Sequence, residues 1–368
     1  MAVFILAFTL SLVIALSLTP LIRRLAFKFG LVDYPDTERK LHAQPTPLLG
    51  GLGIFVAFTV TSFVLATATS VLIGKDLSFK ALVGLLVGGL LIMVGGYLDD
   101  HYHLKPQPQI IWPILAALVV IASGIGVRVI SNPLGGLVAL DQWKIEVIRL
   151  AGIPYYFTVA ADLLTFIWLL GMMYTTKLLD GLDGLASGVG AIGSLVIFGL
   201  TQFTPFYQPS VGLLGVILAG ACLGFLFWNW HPAKVFLGEG GSLYIGFVLG
   251  VLAIISGAKI ATTLLVMGIP ILDVAWVIVR RLWWDKKSLA SSDRRHLHYR
   301  LLDIGLTHRQ AVVVLYALTA SFGLTSLFLR TEGKLWALVC LMIVMVVLGW
   351  VVVRRHQLTQ QKNKGTVI

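Results

Sequence analysis

Long apolar runs separated by short polar connections recur along the whole chain, near residues 3–22, 51–73, 81–98, 110–130, 157–176, 185–203, 210–229, 243–258, 262–282, 311–329 and 335–353. An α-helix needs about 20 apolar residues to cross the hydrocarbon core of a bilayer. The pattern therefore predicts an all-α, polytopic membrane bundle of about eleven transmembrane helices. The longest connections, 132–156 and 283–310, are too short for a soluble domain. Residues 1–353 thus read as a single transmembrane domain followed by a basic tail, 354–368, whose polar composition favours disorder. The first run is long and its basic flank, Arg23 and Arg24, follows it, so it reads as an uncleaved anchor.

Composition agrees. The 368 residues are 58% hydrophobic and 12% charged, with a mean hydropathy of +0.91, whereas soluble domains carry about 25% charge. A net charge of +11 could suggest nucleic acid, but orientation in a bilayer explains it better, because cytoplasmic loops collect Lys and Arg. Alternating the runs puts 23–50, 99–109, 177–184, 230–242, 283–310 and the tail on one side. With Arg280 and Arg281 that side holds 20 of the 28 basic residues. It is the cytoplasmic side, which leaves the N-terminus outside and the C-terminus inside. Glycines within the runs, such as Gly84, Gly88, Gly89, Gly95 and Gly96, fit close helix approach in lipid. Cys222 and Cys340 lie inside apolar runs and are expected as small core residues.

An ionisable group within or beside a span is costly, so its position carries functional meaning. Asp99, Asp100, Asp180, Asp183, Glu239 and Asp273 all fall at or near the cytoplasmic face, although the topology used no acid. Clustered carboxylates need a neutralising cation. An oxygen-rich set without thiols suits Mg²⁺, whose remaining positions take water and phosphate oxygens. A phosphate-bearing substrate follows. Asp180-Gly181-Leu182-Asp183-Gly184 and Gly238-Glu239-Gly240-Gly241-Ser242 offer bare backbone N–H groups at helix starts, which bind anions. Each alone also reads as a cap or turn; several on one face argue for a site. Asp293-Arg294-Arg295-His296-Leu297-His298-Tyr299-Arg300 adds cations and imidazoles suited to a diphosphate. The loop from Arg39-Lys40-Leu41-His42 to Gly50-Gly51 repeats cations before glycines.

These motifs resemble the polyprenyl-phosphate N-acetylhexosamine-1-phosphate transferases, the superfamily of the initiating GlcNAc-1-phosphate transferases and the phospho-MurNAc-pentapeptide translocases. The resemblance covers about residues 30–310 and rests on five signatures in the family's order. They are Asp33 with Arg39 to Gly51, Asp99-Asp100, LDGLDGLA at 179–186, PAKVFLGEGGS at 232–242, and DRRHLH at 293–298 before Arg309-Gln310. It implies that the phosphate of undecaprenyl phosphate attacks the β-phosphorus of a UDP-sugar, releasing UMP, at the cytoplasmic membrane of a bacterium, with a homodimer as a further partner. By similarity Asp99, Asp100, Asp180, Asp183, His296 and His298 are catalytic. Asp99 accepts or orients the lipid phosphate's proton, and Asp99, Asp100 and Glu239 hold Mg²⁺, or Mn²⁺ in its place. Lys40, His42, Lys177, Gly181, Leu182, Asn229, Phe236, Arg294 and Arg295 are substrate-binding, with Gly181, Leu182, Asp183 and Phe236 forming the uracil surface.

This chain departs from the family at five positions, two of which are Gln107 and Gln109, standing where basic residues often follow the acid pair. Glu239 stands where Asp is usual, Lys177 where many members have Asn, and Tyr299 where a third histidine occurs. The DRRHLH loop is closer to the GlcNAc type than to the pentapeptide type, which remains the alternative. A secondary transporter would place its acids near the midplane. Here Asp162 is the clear candidate toward the outer side.

Overall fold

Lipid offers no partner for backbone N–H and C=O groups, so apolar runs in a bilayer satisfy them internally as helices. The computed structural model describes residues 1–35, 44–132, 136–150, 153–257, 260–281, 283 and 296–365. In chain order it contains α1 (Ala2–Lys28), β1 (Val32–Asp33), β2 (Thr46–Pro47), α2 (Gly50–Ala68), α3 (Phe79–Tyr102) and α4 (Pro106–Ala122). Next come β3 (Val129–Ser131), β4 (Leu137–Ala139), β5 (Lys144–Leu150), β6 (Ile153–Thr158), α5 (Val159–Leu179), α6 (Leu185–Phe203) and α7 (Pro209–Asn229). The remainder is α8 (Gly238–Ile255), α9 (Ile260–Val266), α10 (Gly268–Arg280), α11 (Leu297–Asp303), α12 (His308–Phe328) and α13 (Thr331–Gly365).

Among the described residues nine helices are long and apolar enough to cross a membrane, namely α1, α2, α3, α5, α6, α7, α8, α12 and the apolar part of α13. The protein is an all-α polytopic membrane protein. Two of the eleven expected spans take another form. The run at 262–282 divides into α9 and α10, bent by 80°, because Pro270 has no N–H to donate to Val266 and its ring crowds that carbonyl. The run at 110–130 yields the 17-residue α4 and passes through Gly124 (φ +92°) toward β3.

The expected outer loop 132–156 is largely two antiparallel hairpins, β3–β4 and β5–β6, the latter pairing Lys144 with Thr158 and Leu150 with Ile153. The alternation Lys144-Ile145-Glu146-Val147 is the strand period that marks it. A third small pair, β1–β2, sets Asp33 opposite Thr46. The tail also differs from expectation, since α13 continues as helix to Gly365. Its Gln, Lys and Arg residues are good helix formers that extend an existing helix without a new nucleus.

The interior is built on α7 and α8, each 83% buried over its apolar window, while α13 is 11% buried and lies at the periphery. Phe55 and Phe58 meet Tyr244 edge to face, and Trp168 donates from Nε1 to the Gly250 carbonyl at 3.0 Å, tying α5 to α8. Cys222 is buried as expected, but Cys340 is exposed on α13, because that helix covers little of the bundle.

Two glycine contacts position everything below. A Cβ on Gly96 would lie 2.2 Å from the Gly240 backbone, and one on Gly51 would lie 2.1 Å from Gly241 Cα. Helices α2, α3 and α8 therefore meet backbone to backbone, as small residues permit in membranes. The acids that close α3 are thereby delivered to the start of α8.

Candidate active site

The acid pair at the end of α3 divides its work. Both carboxylate oxygens of Asp100 accept from the Glu239 backbone N–H, at 3.2 and 3.3 Å, capping the first turn of α8 where the helix dipole favours negative charge. Asp99 accepts instead from the Leu104 N–H at 3.1 Å and from Gln109 Nε2 at 2.8 Å. It fastens the start of α4, while Asp100 lines a cavity of about 780 Å³.

The run from Asp180 to Gly184 forms the opposite wall. Gly184 has φ +81°, a conformation that favours glycine, and Asn229 holds it there. Asn229 Oδ1 accepts from the Gly184 N–H and from Ser187 Oγ, both at 3.0 Å, and its Nδ2 donates to the Val235 carbonyl at 3.0 Å. Asn229 borders the cavity, yet its amide is committed to bracing the α5–α6 and α7–α8 loops against each other. Tyr316 also donates to the Gly184 carbonyl.

Asp183 is gripped from the α7–α8 loop. Its Oδ2 accepts from the Ala233 N–H at 3.1 Å and lies 2.7 Å from His231 Nδ1. The His231 ring stacks on His308 with centroids 4.0 Å apart, and Arg309 donates to the His231 carbonyl at 2.8 and 3.0 Å. Potential ligand atoms of Asp183, His231 and His308 lie within 4.8 Å of one another. The stacked rings are nearly parallel, however, so their nitrogen lone pairs run side by side instead of converging on one ion.

Glu239 and Lys177 close the cavity between these walls, with Lys177 Nζ 2.5 Å from Glu239 Oε1. Asp180, Gly181, Leu182, Asp183 and Phe236 complete the expected lining. The histidine loop sits behind it. Asp273 on α10 accepts from the Leu297 N–H at 2.8 Å and pairs with His296 Nδ1 at 2.8 Å, capping α11. His298, buried at 2% exposure, presses Nε2 against the Gly181 Cα, where an added Cβ would lie 2.2 Å away. His296 and His298 therefore support the Gly181 turn from beneath, and Asp273 caps a helix instead of facing the cavity. Lys40, His42, Arg294 and Arg295 lie outside the described residues.

Electrostatics follow from this crowding. Burial, and then Asp183 and Glu239, push the Asp180 carboxyl up to about 7. Burial holds the His298 imidazole down at about 4, against the opposing pull of Asp273, so it is neutral near pH 7. Asp100, Asp180, Asp183 and Glu239 share one cavity with Lys177, an oxygen donor set with excess negative charge, which adds to the larger effect of burial in raising Asp180. The chemistry fits Mg²⁺, for which Asp100, Asp180 and Glu239 are the candidate ligands.

Sequence reasoning passed over His231 and His308. Each directly adjoins a recognised motif, Pro232-Ala233-Lys234 in one case and Arg309-Gln310 in the other, and that adjacency was the available signal.

With this geometry in view, comparison with known proteins defines the class: the protein is a membrane phosphoglycosyltransferase. The family model of Glycosyl transferase family 4 matches residues 82–257. A decaprenyl-phosphate N-acetylglucosaminephosphotransferase of Mycolicibacterium smegmatis is 35% identical over 85% of this chain and 79% of its own length. A Bacillus subtilis protein carrying the name "Probable undecaprenyl-phosphate N-acetylglucosaminyl 1-phosphate transferase" is 29% identical over 98% of this chain and 94% of its own. A phospho-N-acetylmuramoyl-pentapeptide-transferase of Pelotomaculum thermopropionicum is 30% identical over 87% and 96%. The chain belongs to Glycosyl transferase family 4.

Proposed function

We propose that this protein transfers a HexNAc 1-phosphate, with GlcNAc 1-phosphate the first choice, from a UDP-sugar to undecaprenyl phosphate at the cytoplasmic face of a bacterial membrane. The observation that carries the reading is the convergence of Asp100, Asp180, Asp183 and Glu239, from three separate segments, on one cavity at the ends of membrane helices. A phosphate oxygen of the lipid attacks the β-phosphorus of the UDP-sugar, the bond from that phosphorus to the bridging oxygen breaks, and UMP leaves with the released electron pair. A lipid-linked diphosphosugar remains, the kind of product that begins a cell-envelope polysaccharide.

Roles follow from position. Asp183, held by His231 and Ala233, faces the cavity with Gly181, Leu182 and Phe236, a set suited to the hydrogen-bonding edge and flat face of uracil. Of the acid pair, Asp100 opens toward the lipid phosphate and can orient it or take its proton. Asp99, held by Leu104 and Gln109, positions that edge of the cavity. When bound by Asp100, Asp180 and Glu239, Mg²⁺ supplies neutralisation of the charge that develops on the diphosphate. The Lys and Arg distribution supports the N-terminus outside and the C-terminus and cavity inside.

The names of the Mycolicibacterium and Bacillus relatives support GlcNAc. The Pelotomaculum relative, matched over 96% of its length, keeps UDP-MurNAc-pentapeptide as the second donor to try. The test is UMP release by purified protein in detergent with undecaprenyl phosphate and a panel of UDP-sugars, each with Mg²⁺ and with EDTA. Release that needs both lipid and metal is expected, with loss of about 100-fold or more in Asp100→Asn, as for removal of a transition-state electrostatic partner. Folded protein that is silent with every donor overturns the reading.

A further inference from the structure

Lys177 occupies the last turn of α5, three residues before Asp180, and Glu239 the first turn of α8. Their side chains are 21% and 14% exposed, so the ion pair is largely withdrawn from water. Among the described residues this ammonium is the one direct partner of the Glu239 carboxylate, and the Tyr174 ring lies 5.6 Å beneath it. Reach decides the contact. An aspartate at 239 would withdraw the carboxylate by one carbon–carbon bond, about 1.5 Å, and stretch the contact, whereas a glutamine would keep the reach and remove the charge.

The geometry points to Lys177 as a tethered cation that occupies the metal position of the resting enzyme and must yield Glu239 before a divalent ion can enter. The inference rests on the metal-dependent reading above. An ammonium and a divalent cation on one carboxylate compete for its charge, because like charges about 4 Å apart in a partly buried site repel strongly. Metal entry therefore costs the ion pair, and metal affinity is lower than the four carboxylates alone would give. The freed ammonium remains in the cavity, where a diphosphate is its natural partner. Nucleotide diphosphate and metal then favour each other's binding, since each takes one half of the pair, and the coupling is reciprocal.

The test is Mn²⁺ binding to full-length protein in detergent, read from the free-ion signal in electron paramagnetic resonance, in a double-mutant cycle. Lys177→Met, with Lys177→Gln as a second neutral variant, is expected to bind Mn²⁺ about tenfold more tightly than wild type. The same change made on a Glu239→Gln background is expected to shift affinity less than about twofold, because that background has no ion pair left to lose. Unchanged or weaker binding in both neutral variants overturns the proposal. So does an equal gain on both backgrounds, which would mark a general charge effect. A folded wild type that binds no Mn²⁺ at all instead sinks the metal reading itself.

Discussion

His298 lies beneath Gly181 with its imidazole held near a pKa of about 4 by burial, while in an unfolded chain the same group titrates near 6.5. Between those values the unfolded state takes up a proton that the folded state refuses. Stability therefore falls as pH drops from about 6.5 to 4, by at most about 3 kcal/mol. Asp180 works with the opposite sign, since its carboxyl is raised to about 7 and penalises the folded state as pH rises from about 4 toward 7. Comparison with His298→Gln isolates the histidine. Melting temperatures in detergent, taken from pH 7 down to pH 4, are expected to fall more steeply for wild type than for this variant. Parallel curves would refute the assignment of the slope to His298.

At the scale of elements, the site depends on how closely α3 can approach α8. A methyl group on Gly96 would meet the Gly240 backbone at 2.2 Å, and backbone cannot rotate aside as a side chain can. Overpacking of this kind costs about 1–3 kcal/mol. Gly96→Ala is expected to lower the melting temperature and also to weaken Mn²⁺ binding, by carrying Asp100 away from Glu239. A variant that melts earlier but keeps wild-type metal affinity would show that the contact serves packing alone.

The approach was partly legible in advance, because glycine-rich spans signal close crossings. Which glycine meets which was not, since that depends on pairing between distant segments. The broken α9–α10 was hidden for a similar reason. Pro270 sits in an apolar run of ordinary length, and hydropathy measures length but not direction. Likewise Asp99 and Asp100 read alike as a pair, and their separation into a fastener and a cavity wall appears only when Gln109 and the start of α8 are both in place.

For the molecule as a whole, the charge count makes a prediction independent of chemistry. With Cys222 and Cys340 replaced by Ser, a single cysteine at Gln142, just before the β5–β6 hairpin, should react with a membrane-impermeant maleimide on intact cells. One at Gln107, on the first turn of α4, should react only after lysis. The reverse pattern would turn the protein over and place the cavity outside. The lateral order of the helices is the part that composition could not supply. The peripheral α13, with a mean hydropathy of 2.0 over its apolar window, falls between the buried α7 at 2.3 and α8 at 1.7, so hydropathy does not sort inside from rim.

The shortness of α4 bears on the lipid as well as on the protein. Seventeen residues rise about 25 Å, roughly 5 Å less than the hydrocarbon thickness of an average bilayer. Local thinning of the bilayer is one way that a membrane accommodates so short a helix. Through Gln109, the first turn of α4 is bonded to Asp99, so such thinning would fall at the rim of the acidic cavity. On the function proposed above, a lipid phosphate in that leaflet would then rest closer to the depth of the carboxylates. Hydrophobic mismatch would in that case perform part of the delivery that a soluble enzyme needs a lid or a hinge to accomplish.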